Sequence, residues 1–153
     1  MPYDVRLKDL APQRFVAAHT RCPRADVPAT LGRMLEDVWT YLSSLEHVTV
    51  GPAIARYHGH DEDEILVEAG FPVAEDVPDA GVIAVTRLPH GPAATALHYG
   101  PYEGLHAAHA AVEAWIAAHG RVADGPAWEI FWVDASQAAA PEELRTEVVW
   151  PIK

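Results

Sequence analysis

Along residues 27 to 45 the apolar positions Leu31, Met34, Leu35, Val38, Trp39, Leu42 and Leu45 recur at spacings of three and four, the period of a helix with one buried stripe. Asp26 stands where an N-cap belongs and Pro28 falls in the first turn, so a helix is expected over Val27 to Leu45. A second helical pattern runs from about Tyr102 to His119, with Leu105, Ala108, Val112, Trp115 and Ile116 on one face and Gly120 as its stop. Around these lie short β-type runs: Val5–Lys8, Phe15–Thr20, Ala53–His58, Ile65–Gly70, Val82–Arg87, Ala94–Tyr99, Trp128–Val133 and Arg145–Trp150. Gly and Pro punctuate nearly every junction. Strands before and after each helix predict an α+β protein, an antiparallel sheet with two main helices on one face.

The order of elements contains a repeat. GPAIARY at 51–57 answers GPAWEIF at 125–131, an offset of 74 from residue 51 to residue 125. EAGFPV at 68–73 answers EVVWPI at 147–152, an offset of 79 from residue 68 to residue 147, and His19 and His98 also stand 79 apart. Several matches in one order predict two copies of a strand-helix-strand-strand unit, with halves of about 1–78 and 79–153 in one domain spanning 1–153. The junction between two such halves is the expected ligand groove.

Within GPAWEIFWV, residues 125–133, Glu129 is a carboxylate inside an otherwise apolar strand. Alternate strand residues share a face, so Trp128, Ile130 and Trp132 are expected under the helices and Glu129, Phe131 and Val133 on the other side. Through the repeat, Glu129 corresponds to Ala55 and Phe131 to Tyr57. Three readings follow for Glu129: a solvated sheet residue, a structural partner of Arg56, Arg121 or Arg145, or a group that meets a ligand's positive charge or works as an acid or base.

The composition narrows the classes. The 153 residues are half apolar, the balance of a globular domain with one core. No apolar run approaches the length of a membrane span, and the N-terminal MPYDVRLKDLAPQRF has no continuous hydrophobic signal region, so a cytoplasmic protein is expected. Cys22 is the only cysteine; ahead of Pro23, in a stretch that reads as loop, it is not expected to be a nucleophile. The net charge of −11 argues against a nucleic-acid surface and favours cations at long range.

The stretches YGPYEGLHAAHAAVEAWIAAHG, GPAWEIFWVD and PEELRTEVVWPI together resemble the GyrI-like small-molecule-binding family, which includes the effector-binding domains of AraC-type and MerR-type activators. The resemblance is carried best by residues 82–153, and in the first half by GPAIARYHG and the repeat. It implies a duplicated βαββ module with a groove in which a Glu matching Glu129 faces cationic, aromatic ligands and rings line the walls. By that carry-over Glu129 and Tyr57 lead the ligand-binding residues, followed by Phe131, Phe71 and Trp150. Trp39 and Tyr102 stand near the helices, Trp39 on a stripe position that reads as core.

The chain begins almost directly with its first strand, whereas the activators carry a helix-turn-helix ahead of this module. The resemblance to stand-alone members then implies a hydrophobic small molecule as partner and no direct nucleic-acid or membrane binding. It leaves three activities: sequestration, modulation of a protein partner such as DNA gyrase, or hydrolysis of cyclopropane-bearing natural products. In the hydrolase, Glu129 protonates or directs water and Tyr57 polarises the acceptor carbonyl.

No cofactor is expected. HGHDEDE at 58–64 reads as an acidic turn, and His106 and His109 as surface residues of the second helix, so no metal site is assigned to either. GPYEG lacks the Lys and Ser or Thr of a nucleotide loop, no Ser nucleophile elbow is present, and QAAAPEEL at 137–144 reads as a connection.

Overall fold

The computed structural model describes residues 3–60, 63–134 and 136–153. Eight antiparallel strands and two main helices form an α+β fold whose chain divides into two compact units, Pro12–Pro89 and the residues up to Ala11 together with His90–Lys153.

In the Pro12–Pro89 unit, β2 (Gln13–Pro23) runs antiparallel to β4 (Glu64–Val73), β3 (Ala53–His60) flanks β4 and β5 (Ala84–Leu88) flanks β2. Helix α1 (Val27–Ser43) buries Thr30, Met34, Val38 and Leu42 against Val16, Ala18, Val67 and Ala69. Burying aliphatic side chains of this size stabilises by about 1.5–3 kcal/mol each. The predicted stripe therefore holds, with two differences. Trp39 is 51% exposed rather than core, and Asp26 occupies the N-cap position without a side-chain capping bond, because its own backbone is already helical. Gly70 has a packing reason: a Cβ there would stand 1.9 Å from the Val16 carbonyl oxygen of the neighbouring strand.

In the other unit β1 (Arg6–Leu10) pairs with β6 (Gly91–Tyr99), β6 with β8 (Arg145–Pro151), and β8 with β7 (Trp128–Val133). Helix α2 (Leu105–Ala118) packs Leu105, Ala108, Val112 and Ile116 on Ala94, Ala96, Val148 and Ile152. It is preceded by a 3-10 turn, Tyr102–Gly104, and closed by Gly120 at φ 66°. The strands that lead into the two repeats are exchanged: β1 pairs with β6 and β5 with β2, so each unit is one βαββ copy completed by the leading strand of the other.

The strand registers give the repeat its alignment. Ala55 lies opposite Ala69 and Glu129 opposite Val148, while Tyr57 lies opposite Val67 and Phe131 opposite Thr146, so the offsets of 74 and 79 hold for these four pairs. His19 and His98 are not counterparts. His19 pairs with Glu68 whereas Leu97 pairs with Glu147, so the offset from β2 to β6 is 78 (residue 19 to residue 97). One residue of slip puts the two histidines on opposite faces. Cys22 is buried within β2 opposite Ile65, not in a loop.

Candidate functional site

Strand β7 is a run of aromatic and β-branched residues around one carboxylate, and its register on β8 fixes where that carboxylate points. Val148 belongs to the core under α2, and Glu129 lies opposite it. Glu129 and Phe131 therefore face the helix, while Trp128, Ile130 and Trp132 face away, the reverse of the sequence expectation. Hydrophobicity carried no sign here because both faces bury apolar groups: Trp128, on the far face, is 2% exposed. Phe131 is buried, with the half-exposed Tyr102 of the 3-10 turn edge-on to it at 5.9 Å between ring centroids.

Glu129 is 5% exposed and accepts a hydrogen bond from His109 of α2, Nε2 to Oε2 2.8 Å. The other ring nitrogen of His109, Nδ1, is 3.3 Å from the indole Nε1 of Trp150, whose ring meets the imidazole edge-on. An indole N–H can only donate, so Nδ1 accepts and the imidazole proton is assigned to Nε2, which donates to the carboxylate. The result is a directed chain, Trp150 to His109 to Glu129, across β8, α2 and β7. The three arginines considered as structural partners are engaged elsewhere: Arg56 with Glu68, Arg121 with the Lys153 carbonyl, and Arg145 over the Tyr99 ring.

His109 was assigned to the helix surface by its sequence, and it is instead half-buried against β7. Its place was legible: it stands four residues after Leu105 and three before Val112, both on the buried stripe. His98 is also buried and held by both ring nitrogens, with the Tyr3 hydroxyl at 2.8 Å from Nδ1 and the Pro101 carbonyl at 2.8 Å from Nε2. Gly104 fits against it because a Cβ would approach His98 Cε1 to 2.8 Å. The GPYEG stretch thus cradles a histidine at the start of α2.

In the Pro12–Pro89 unit the other expected ligand residues also face their helix. Tyr57 and Phe71 are half-buried against the α1 core, and the Trp39 ring lies 5.6 Å from that of Phe71. Position 71 corresponds to Trp150 and position 57 to Phe131, so both copies carry rings at the same two places.

The faces turned away from the helices carry a different charge pattern. Glu68 and Glu147 occupy one repeat position and both are buried. Glu68 accepts from Arg56 at 2.7 Å and His58 at 2.8 Å; Glu147 accepts from Lys8 at 2.6 Å and from the Trp132 indole at 3.0 Å. Burial raises the Glu68 pKa, but the hydrogen bonds and charges of Arg56 and His58 outweigh it and hold the carboxyl below its ordinary value. A concavity of about 1260 Å³, open to solvent, includes Arg6, Lys8, Tyr99, Trp132, Arg145 and Glu147 in its walls and none of Glu129, His109, Phe131 or Trp150. Its walls mix charged side chains with aromatic and aliphatic ones, whereas the chain of groups at Glu129 has rings beside it, Trp150 at His109 and Phe131 on the same strand face.

Among the described residues no three His, Cys, Asp or Glu converge as metal ligands, and no helix is long and apolar enough to cross a membrane. Of the stretch 58–64 expected as an acidic turn, His58–His60 end β3 and Glu64 begins β4, while residues 61 and 62 lie outside those described.

The family model of the GyrI-like small molecule binding domain matches residues 3–153. No curated protein matches the chain. Among solved structures, EcmrR in its DNA complex is similar over 100% of this chain and 58% of its own length, with TM-score 0.87 and 18% identity. A hydrolase from Listeria innocua is similar over 100% of this chain and 94% of its own, TM-score 0.71 and 14% identity. SAV2435 bound to tetraphenylphosphonium covers the same shares, 100% and 94%, at TM-score 0.66 and 13% identity. At these identities the likeness is one of fold.

Proposed function

Since the chain belongs to the GyrI-like small molecule binding domain family, we propose that its ligand is an apolar, aromatic cation held at Glu129. The observation that carries this reading is the burial of the Glu129 carboxylate among rings, with a neutral imidazole as its hydrogen-bond donor. A hydrogen bond from neutral His109 orients the carboxylate and leaves its charge in place. A cation brought to a desolvated carboxylate gains about 1.5–3 kcal/mol from the charged contact, and an aromatic face adds up to about 2 kcal/mol.

Phe131 and Trp150 supply apolar surface on either side of the carboxylate, and Tyr102 stands exposed and edge-on to Phe131. Within the Pro12–Pro89 unit, Tyr57, Phe71 and Trp39 form a helix-facing ring group of their own, the first two at the repeat positions of Phe131 and Trp150. The tetraphenylphosphonium complex of SAV2435 supports the ligand class as a precedent in this fold.

The test is calorimetric titration of wild type and Glu129→Gln with tetraphenylphosphonium and with neutral triphenylphosphine oxide. The expected result is a loss of about tenfold or more in cation affinity with little change for the neutral compound. Equal losses for the two would eliminate the charge role.

A second reading, hydrolysis of a cyclopropane-bearing compound, is favoured by the same dyad, since His109 and Glu129 are placed to pass a proton. Glu129 would act as the acid or base. Mass spectrometry decides it: a product heavier by one water, formed by wild type and absent with Glu129→Gln, establishes turnover, and unchanged compound dismisses it. A gyrase partner gains no support from any feature of the described residues.

A further inference from the structure

We infer that His109 is a positioning residue that makes cation binding at Glu129 dependent on pH, released on acidification. The inference rests on the cation-binding reading above. Its basis is a conflict of donors: Trp150 Nε1–H points at Nδ1, and Nε2–H is committed to Glu129. A protonated imidazole carries hydrogen on both nitrogens, so the Nδ1–H would meet the indole N–H head on. Protonation therefore breaks the Trp150 bond and converts neutral His109 into the cationic partner of Glu129. The pair then already satisfies the charge that a ligand cation would meet. Neutral His109 holds the carboxylate ready for an external cation; charged His109 replaces that cation.

The environment keeps the switch local to this chain of groups. Helix α2 packs on β6, β8 and the 3-10 turn. The helix-facing row of β8, Thr146, Val148 and Trp150, holds no group that titrates in this range, and that of β6 holds only His98, fixed by Tyr3 and Pro101. The turn carries Tyr102 and Glu103, and α2 itself His106, bonded through Nδ1 to the Glu103 carbonyl, and Glu113, both exposed. Glu129 on β7 is the ionisable group that bonds the His109 ring.

Two measurements on the full chain test this. Long-range proton–nitrogen NMR of the free protein at neutral pH should show the His109 ring protonated at Nε2 and bare at Nδ1; a proton on Nδ1 overturns the inference and leaves the cation-binding reading standing. Titration with tetraphenylphosphonium from about pH 8 to about pH 5, the range in which histidines change charge, should show wild-type affinity falling about tenfold or more while triphenylphosphine oxide binds equally throughout. His109→Gln, whose amide still donates to Glu129, should bind the cation at neutral pH with a flat profile. Trp150→Phe keeps an aromatic ring, removes the opposing donor, and should move the midpoint of the loss to higher pH. A wild-type slope retained in His109→Gln assigns the titration to another group, Glu129 included, and overturns the inference. Wild type that binds neither probe at any pH overturns the ligand reading, and this inference falls with it.

Discussion

Ala55 and Glu129 occupy the same position of the duplicated unit, each facing its helix, one opposite Ala69 and the other opposite Val148. The scaffold therefore folds with a methyl group at this place in one copy and a carboxylate in the other. What the fold requires is common to both copies, and what differs is free to serve a ligand. Burying a carboxylate costs several kcal/mol unless hydrogen bonds and charge offset it, and the Trp150, His109 and Glu129 chain is the arrangement that holds it.

It follows that Glu129→Gln leaves the fold intact. The amide keeps an acceptor for His109, so stability should change by no more than about 1 kcal/mol, a shift of at most about 4 °C in Tm. A thermal melt of the variant beside wild type checks this. A collapse of stability would make Glu129 a structural residue.

Much of this was legible beforehand, and the misses share one cause. Both helices, all eight strands and the matches of Glu129 to Ala55 and Phe131 to Tyr57 followed from periodicity and repeat, because each can be read along the chain without knowing which strands pair. The face on which Glu129 lies did not follow, because Trp128 and Phe131 are both buried and alternation cannot say which side a helix covers. His109 was passed over because a lone histidine on a helix reads as surface until the strand beneath it is known to carry a carboxylate. The exchange of β1 and β5 left no trace in local pattern; strand pairing at long range decides it.

Glu68 gives the acid side of the stability curve. Its folded pKa lies below the ordinary value, so its contribution is complete above the unfolded carboxyl value of about 4.3 and is lost as pH falls through the folded value. Chemical denaturation between about pH 6 and about pH 3 should show wild-type stability falling with acid and Glu68→Gln falling less steeply. Arg56→Met, which strips the shortest contact from a side chain only 10% exposed, should cost on the order of 3 kcal/mol at neutral pH. Parallel acid limbs for wild type and Glu68→Gln would remove Glu68 from the account.

Thr146 presents the opposite case. Its side chain is fully buried on the helix side of β8, and its hydroxyl has no hydrogen-bond partner among the described residues. Valine has the same branched shape without the polar atom, so Thr146→Val should stabilise by about 1 kcal/mol and raise Tm by about 2–4 °C. A fall in Tm would show that the hydroxyl does satisfy a bond in solution, through water if not through protein.

Two glycines predict opposite signs for one substitution. At Gly70 the added methyl would stand 1.9 Å from the Val16 carbonyl oxygen and 2.6 Å from the Ala17 Cα, both backbone atoms of the paired strand. Neither can retreat without parting β2 from β4, so Gly70→Ala should destabilise by more than about 3 kcal/mol or abolish soluble expression. Gly32 lies exposed in α1, and nothing stands within 4 Å of its added Cβ. There the gain is that of alanine over glycine inside a helix, about 0.5–1 kcal/mol. Urea denaturation of the two variants beside wild type should move the midpoint down for Gly70→Ala and up for Gly32→Ala. A Gly70→Ala protein as stable as wild type would mean that β2 and β4 are not packed at this distance.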